Sequence, residues 1–464
     1  MIHFSIILKK LFYRILILLI LLIPLTGCST NFMKVRKEQT AIFNEEITRK
    51  SIQALSEDKT YDLGACIRIA LENNLDLRIA EIDGRLAGLD KKIAFSFFLP
   101  QVDVQAIRTD TNKYQMHYTG SSYMAMSDQE TRMTVIEGQL AIFDPETWFI
   151  YSAYKKGDDI QKLITMRVKQ GIRLQVTALY LSCLSLESGY TASKSAVEQA
   201  EALLIEMEAL YREGLILKSD LESAKAFYTM QQNNLAEMER QESYAKAELL
   251  EAMGLYPLCE IKLGVSPSLS IKDRDLSDMI LRAMLNRPEL MAADRDIEAR
   301  GDSVKMAISA FLPKIFLAGD LTGNRDSFLK YEDIFTYGAS GILTIFDGFA
   351  NIYEYKAAKQ EKARAILERE QSCIKIMLEV IKAKQSLDYH GENRKLAKLQ
   401  LDSAKSRNDE VLSLWKEGMM TSSEKLDAAS NYASAKAGMA VADYRYQVAA
   451  ATMADVMGIT GKEY

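Results

Sequence analysis

The chain has 464 residues, 48% hydrophobic and 26% charged, with a formal net charge of −5; this is the composition of a folded protein and excludes a disordered one. Its mild acidity excludes a general nucleic-acid binder, which needs clustered Lys and Arg to neutralise phosphates. The cysteines (Cys28, Cys66, Cys183, Cys259, Cys373) are scattered and only His117 and His390 lie beyond the N-terminal leader, so no catalytic, metal or cofactor motif is readable and no enzyme is expected.

Lys9, Lys10 and Arg14 come before or at the edge of the apolar run 15–23, and Pro24-Leu25-Thr26-Gly27-Cys28-Ser29 follows. A basic stretch, an apolar stretch shorter than the roughly 20 residues of a membrane span, and small residues predict a signal peptide over residues 1–27. Leu25–Cys28 resembles a bacterial lipobox. The resemblance implies cleavage before Cys28, a diacylglyceryl group on its sulfur and a further acyl chain, such as palmitate, on the new terminus. That covalent lipid is the only non-protein group expected. Ser29 stands where lipoproteins retained in the inner membrane carry aspartate, which points to the outer membrane. Losing three cations takes the charge to −5 − 3 = −8, and residues 28–60 follow as a lipidated N-terminal segment.

From residue 61 the chain is written twice, with repeats predicted over 61–258 and 259–464. Phe98-Leu99-Pro100 recurs as Phe311-Leu312-Pro313, and 313 − 100 = 213; Asn73 and Asn286 share that offset. Ile142-Phe143-Asp144 recurs as Ile345-Phe346-Asp347. Gly214 matches Gly418 and Gly254 matches Gly458, both at an offset of 418 − 214 = 204. The change of offset falls between the F-L-P and I-F-D motifs, where a loop can absorb it.

Each repeat opens with a capped helix, after Thr60-Tyr61-Asp62-Leu63 in the first and after Asp275 or Ser277 in the second. Helix then runs to F-L-P, whose proline restrains the preceding residue to extended geometry. Alternation marks strands: Val102, Val104 and Ala106 against Gln101, Asp103 and Gln105, then Ile136, Gly138, Leu140 and Ile142 against Glu137 and Gln139. In the second copy Ile315, Leu317, Gly319 and Leu321 alternate with Phe316, Ala318 and Asp320, and Tyr337–Phe346 is predicted to complete the set. The β-hairpins thus span about 100–143 and 313–346, with strands near the roughly 9–11 residues that cross a bilayer. Four strands cannot close a barrel, and an open edge in lipid costs about several kcal/mol per unpaired backbone group. Copies must therefore associate; two would supply eight strands and three would supply twelve.

Proline is absent between Pro145 and Pro257 and again after Pro313. From Pro145 to the break at Gly214 a helix would be on the order of 100 Å long. Leu174, Thr177, Leu181 and Leu184, then Leu203, Met207 and Leu210, recur at the three–four spacing of coiled-coil packing. The predicted fold is mainly α, long helical hairpins with tips near 214 and 418, plus membrane β-strands and an internal duplication.

Taken in order, these features resemble the TolC-like outer-membrane efflux protein family, in its lipoprotein branch, over about Tyr61 to Gly458. The resemblance implies a homotrimer whose three chains build one twelve-stranded barrel above a periplasmic α-helical tunnel. It implies a passive exit duct in a tripartite efflux or type I secretion system. Its partners would be a periplasmic adaptor and an inner-membrane pump or ABC exporter, with outer-membrane lipid around it and no nucleic acid. The family's adaptor-contacting tips fall on Tyr211, Gly214 and Ser219, and on Gly418 and Ser423. Its gate falls on Asp220, Trp415, Glu424 and Asp427. Glu424 and Asp427, three apart, can share a helix face, so a trimer would place six carboxylates at one constriction, favouring cations and raising some of their pKa values. Where related locks use tyrosine this chain has Trp415, whose indole N–H could donate to Asp220. Where they use arginine it has Met420, which removes the ionic partner.

The rival reading is a structural or adaptor-like periplasmic coiled-coil lipoprotein. Adaptors carry one central helical hairpin, whereas this chain repeats a hairpin-plus-strand unit. Met116, His117, Met124, Met126 and Met133 surround the first external loop and are soft-metal donor types. Loop methionines without a metal are commoner, and spacing alone assigns none.

Overall fold

The computed structural model describes residues 32–55, 59–264 and 275–459. The leader and Cys28 lie outside the described residues. One helix, α1 (Phe32–Ala54), belongs to a separate unit. It is mostly exposed and polar, with an exposed Lys50–Glu46 pair at 2.9 Å.

The larger unit repeats one element order. Asp62 caps α2 (Leu63–Asn73) by accepting from the Ala65 N–H at 2.7 Å. Asp275, rather than Ser277, caps α6 (Leu276–Asn286). Next come α3 (Leu75–Ser96) and α7 (Pro288–Ser309), each 22 residues long. Two long helices follow the strands, α4 (Pro145–Arg212) with 68 residues and α8 (Ala350–Lys416) with 67. The return helices α5 (Lys218–Ala252) and α9 (Ser422–Val456) have 35 each. At a rise of 1.5 Å per residue the long members reach about 100 Å, as the proline-free stretches lead one to expect. Short strands β1 (Thr60–Tyr61) and β6 (Lys262–Leu263) pair in parallel and tie the two repeats. Among the described residues no helix is long and apolar enough to cross a membrane.

The cores are duplicated with the chain. Met279, Ala283, Leu290, Ile376, Val380, Met453 and Met457 form one buried cluster. The matching positions of the first repeat, Cys66, Ala70, Leu77, Ile172, Val176, Leu249 and Met253, are buried as well. Here the returning hairpin meets the junction of the two short helices. Asn74 stitches it, donating to the Ala252 carbonyl at 2.9 Å and accepting from the Leu77 N–H. Gly254 and Gly458 take positive φ (71° and 69°) and press on Asn73 and Asn286. Both pairs are repeat-matched, so one contact explains why the glycines and asparagines recur together.

The four-stranded sheet has the order β2 (Gln101–Asp110), β5 (Glu130–Phe143), β7 (Lys314–Arg325) and β8 (Asp333–Ile342), antiparallel throughout. Two differences from the sequence expectation have one cause. The last strand runs 333–342 rather than 337–346, because β7 begins at Lys314 and that residue pairs with Ile342. Ile345, Phe346 and Asp347 therefore form the approach to α8, where the Asp347 carboxylate accepts from the Asn351 N–H at 2.8 Å. The shortening of the second repeat falls in the loop, 326–332 against 111–129, and the longer loop carries an extra hairpin of β3 (Met116–Tyr118) and β4 (Tyr123–Ala125). Every residue of β8 is exposed and nine of ten in β2. Both outer edges of the sheet, on β2 and β8, lack a strand partner among the described residues.

Candidate channel gate, tip and lumen

At the first tip α4 ends in a left-handed turn at Gly214, with φ 74°, and Leu215 N–H reaches back to the Leu210 carbonyl at 2.9 Å. That is the hydrogen-bond pattern by which glycine terminates a helix. Gly418, φ 73°, ends α8 the same way, with Met419 N–H on Leu414 at 2.9 Å. Tyr211, Ser219 and Ser423 are all exposed in the flanking turns. Leu215, Leu217 and Met419, exposed by 66%, 71% and 66%, add an apolar surface at the very end that the motif reading did not single out. Behind the first tip Leu203, Met207, Leu221 and Ala224 hold α4 against α5.

The gate candidates divide. The Glu424 carboxylate turns back on its own helix start, accepting from the Thr421 N–H and hydroxyl, both at 2.8 Å, while Thr421 Oγ1 accepts from the Glu424 N–H. The Thr421-x-x-Glu424 spacing is the sequence signature of such a capping box, so this role was legible. Its carboxyl is held below the ordinary range, first by the Thr421 backbone N–H and then by its hydroxyl. Within one chain that is opposite in direction to the rise expected from crowded like charges. Asp427 is exposed and makes no hydrogen bond or ion pair among the described residues.

Trp415 and Asp220 are not hydrogen-bonded to each other within the chain. Asp220 accepts from the Leu217 N–H at 3.1 Å, because Leu217 has no side-chain oxygen of its own and only the returning half of a capping box can form. Trp415 instead lies beneath Lys425, whose Nζ is 3.4 Å from the ring centroid and 3.1 Å from Glu206 Oε2. Lys425 thus clamps the second hairpin to the first. Sequence reasoning missed it because Glu206 and Lys425 lie 219 positions apart. The groove it bridges holds a cavity of about 340 Å³ between the hairpins, walled by Leu203, Phe227, Leu412 and Tyr432.

Strand register builds a second charged feature. Asp103 stands opposite Glu137, Glu137 opposite Asp320, and Asp320 opposite Thr336. These four line a concavity of about 400 Å³ on one face of the sheet. The neighbouring row, Val104, Ile136, Leu321 and Phe335, lies on the opposite face. Like charges directly opposite each other destabilise a sheet, so this acidic row suits a wet lumen and the apolar rows suit lipid. Alternation put Asp103 and Glu137 on polar faces and Asp320 with Phe316 and Ala318, but only register aligns the three acids.

Residues 279–459 match the outer membrane efflux protein family. The pyoverdine export outer membrane protein OpmQ of Pseudomonas putida is 23% identical over 333 residues, 69% of this chain and 70% of that one. The crystal structure of CusC superposes with a TM-score of 0.73 at 17% identity, covering 86% of this chain and 92% of CusC. The CmeC outer membrane channel of Campylobacter jejuni also gives 0.73, at 19% identity, covering 85% of each. The family match lies in the second repeat and the same elements stand in the first, so the larger unit as a whole shares the fold of CusC and CmeC.

Proposed function

We propose that three copies close the sheet into a twelve-stranded barrel and join their helical hairpins into a tunnel, forming a passive exit duct. The observation carrying this is the four-stranded sheet with apolar rows on one face and both edges unpaired among the described residues, on hairpins about 100 Å long. In lipid those edges must be satisfied by neighbouring chains, and twelve strands lie within the range of known barrels. The duct performs no chemistry; a periplasmic adaptor seats on the tips, including Leu215, Leu217 and Met419, and an inner-membrane pump or ABC exporter supplies the driving force. Native mass spectrometry of the detergent-solubilised protein is expected to give three copies. A stable folded monomer of the same strand content would refute closure by association.

Lipid on Cys28 is proposed as a second anchor. Cys28→Ser is expected to leave an unprocessed precursor and to lower recovery in outer membranes, while assembled trimer persists through the barrel. Mass spectrometry finding an unmodified mature terminus elsewhere would overturn the anchor and leave the duct standing.

A further inference from the structure

Antiparallel register in the external β3–β4 hairpin pairs His117 with Met124. The ladder continues on both sides, with Met126 N–H on the Gln115 carbonyl at 2.7 Å and Thr119 N–H on that of Ser122 at 2.9 Å. Strand alternation therefore puts His117, Met124 and Met126 on one face. Met116 belongs to the other face, with Tyr118 and Tyr123, whose tilted rings have centroids 5.1 Å apart. Met133 is elsewhere, on β5 opposite Ile107. Of the five donors noted in the sequence, the fold brings three together.

Met124 and Met126 are exposed by 59% and 58%, and His117 is exposed with neither ring nitrogen hydrogen-bonded among the described residues. Side chains opposite one another have Cβ atoms roughly 5 Å apart, and the flexible methionine side chain can bring its sulfur to a point shared with the imidazole. Residues 114–127 contain no Asp, Glu, Lys or Arg. The donor set is neutral and soft, unlike the oxygen-rich sets that hold calcium or magnesium. We propose that this face binds a soft monovalent d10 cation, copper(I) or silver(I), through the His117 imidazole and the Met124 and Met126 thioethers. The site is local to one chain and stands whether or not the duct reading holds.

The probe is silver nitrate in chloride-free buffer, added to the full-length protein in detergent with ε-13CH3-labelled methionine. Cys66 and Cys183 are buried with thiols pushed up to about 12 by burial, so alkylation of the half-buried Cys259 and Cys373 removes the accessible competing thiols in the described residues. The expected result is a saturable shift of the Met124 and Met126 methyl signals at one silver per chain, with Met116 unmoved. His117→Ala and Met124→Leu should each weaken binding by about tenfold or more, at least the loss seen for disturbed supporting shells, while Met116→Leu should not. Zinc should leave the methionine signals in place. Unchanged heat-modifiable migration on gels serves as the folding control. The proposal is overturned if Met124 and Met126 do not shift, if Met116 shifts equally, or if His117→Ala binds silver as well as the parent does.

Discussion

Glu424 and Asp427 sit one turn apart on α9, yet their carboxylates differ. Glu424 is committed to the Thr421 backbone and hydroxyl, and its depressed pKa keeps it ionised through neutral pH. Asp427 is exposed, with no hydrogen bond or ion pair among the described residues. Glutamine can replace glutamate in a capping box, so Glu424→Gln should leave the helix start in place. Asp427→Asn is therefore expected to reduce cation preference and multivalent-cation block in planar-bilayer recordings more than Glu424→Gln does. The triple change Asp103→Asn, Glu137→Gln, Asp320→Asn tests the lumen row separately, and should lower selectivity of the open pore without altering how often it opens. Wild-type selectivity in the double Glu424→Gln, Asp427→Asn variant would remove both residues from the constriction.

At the level of elements, the left-handed glycines have two distinct jobs. At Gly214 a Cβ would meet nothing within 4 Å, so Gly214→Ala carries only the backbone penalty of about 1–2 kcal/mol. At Gly254 the same Cβ would overlap the Asn73 backbone, and at Gly458 it would come within 2.9 Å of Asn286. Those contacts are with backbone or a packed helix end and cannot be relieved by swinging a flexible side chain. Gly254→Ala and Gly458→Ala should each destabilise more than Gly214→Ala, read as a larger drop in the temperature at which the native-gel species is lost. Equal drops for all three would mean that the hairpin return does not depend on close approach.

Across the whole molecule, α4 is held between α3 and α7 by buried carboxylates. Asp158 is bonded to Lys91 on α3 and to Lys162, and Asp302 on α7 is bonded to Lys156 and Lys305. The Lys91 hydrogen bond chiefly lowers the Asp158 carboxyl. Burial works to raise Asp302, but Lys156, Ser152 and Lys305 outweigh it and the net direction is down. A carboxyl depressed in the folded state contributes stability that is complete above its unfolded pKa, about 3.9, and is lost as pH falls through its folded value. Thermal stability from these groups should thus be flat between about pH 5 and 8 and fall below about pH 4. Asp158→Asn should flatten the acid limb; an unchanged limb would show that other carboxylates govern it.

Local features carried most of the fold into the sequence. Helix length follows from where proline is absent, turns from Gly214 and Gly418, strands from period-two alternation, and the duplication from repeated motifs, all properties of neighbouring residues. Even the commitment of Glu424 was written in the Thr421-x-x-Glu424 spacing. Contacts between distant segments were not legible, because they depend on how the chain comes together rather than on what adjoins a residue. Strand pairing aligned Asp103 with Glu137 and Asp320, ended β8 at Ile342 and put His117 against Met124. Helix packing set Lys425 over Trp415 and left Asp220 to its own helix start. The sequence by itself determined the elements and their repetition; register and packing, which a one-residue slip would have changed, decided which side chains meet.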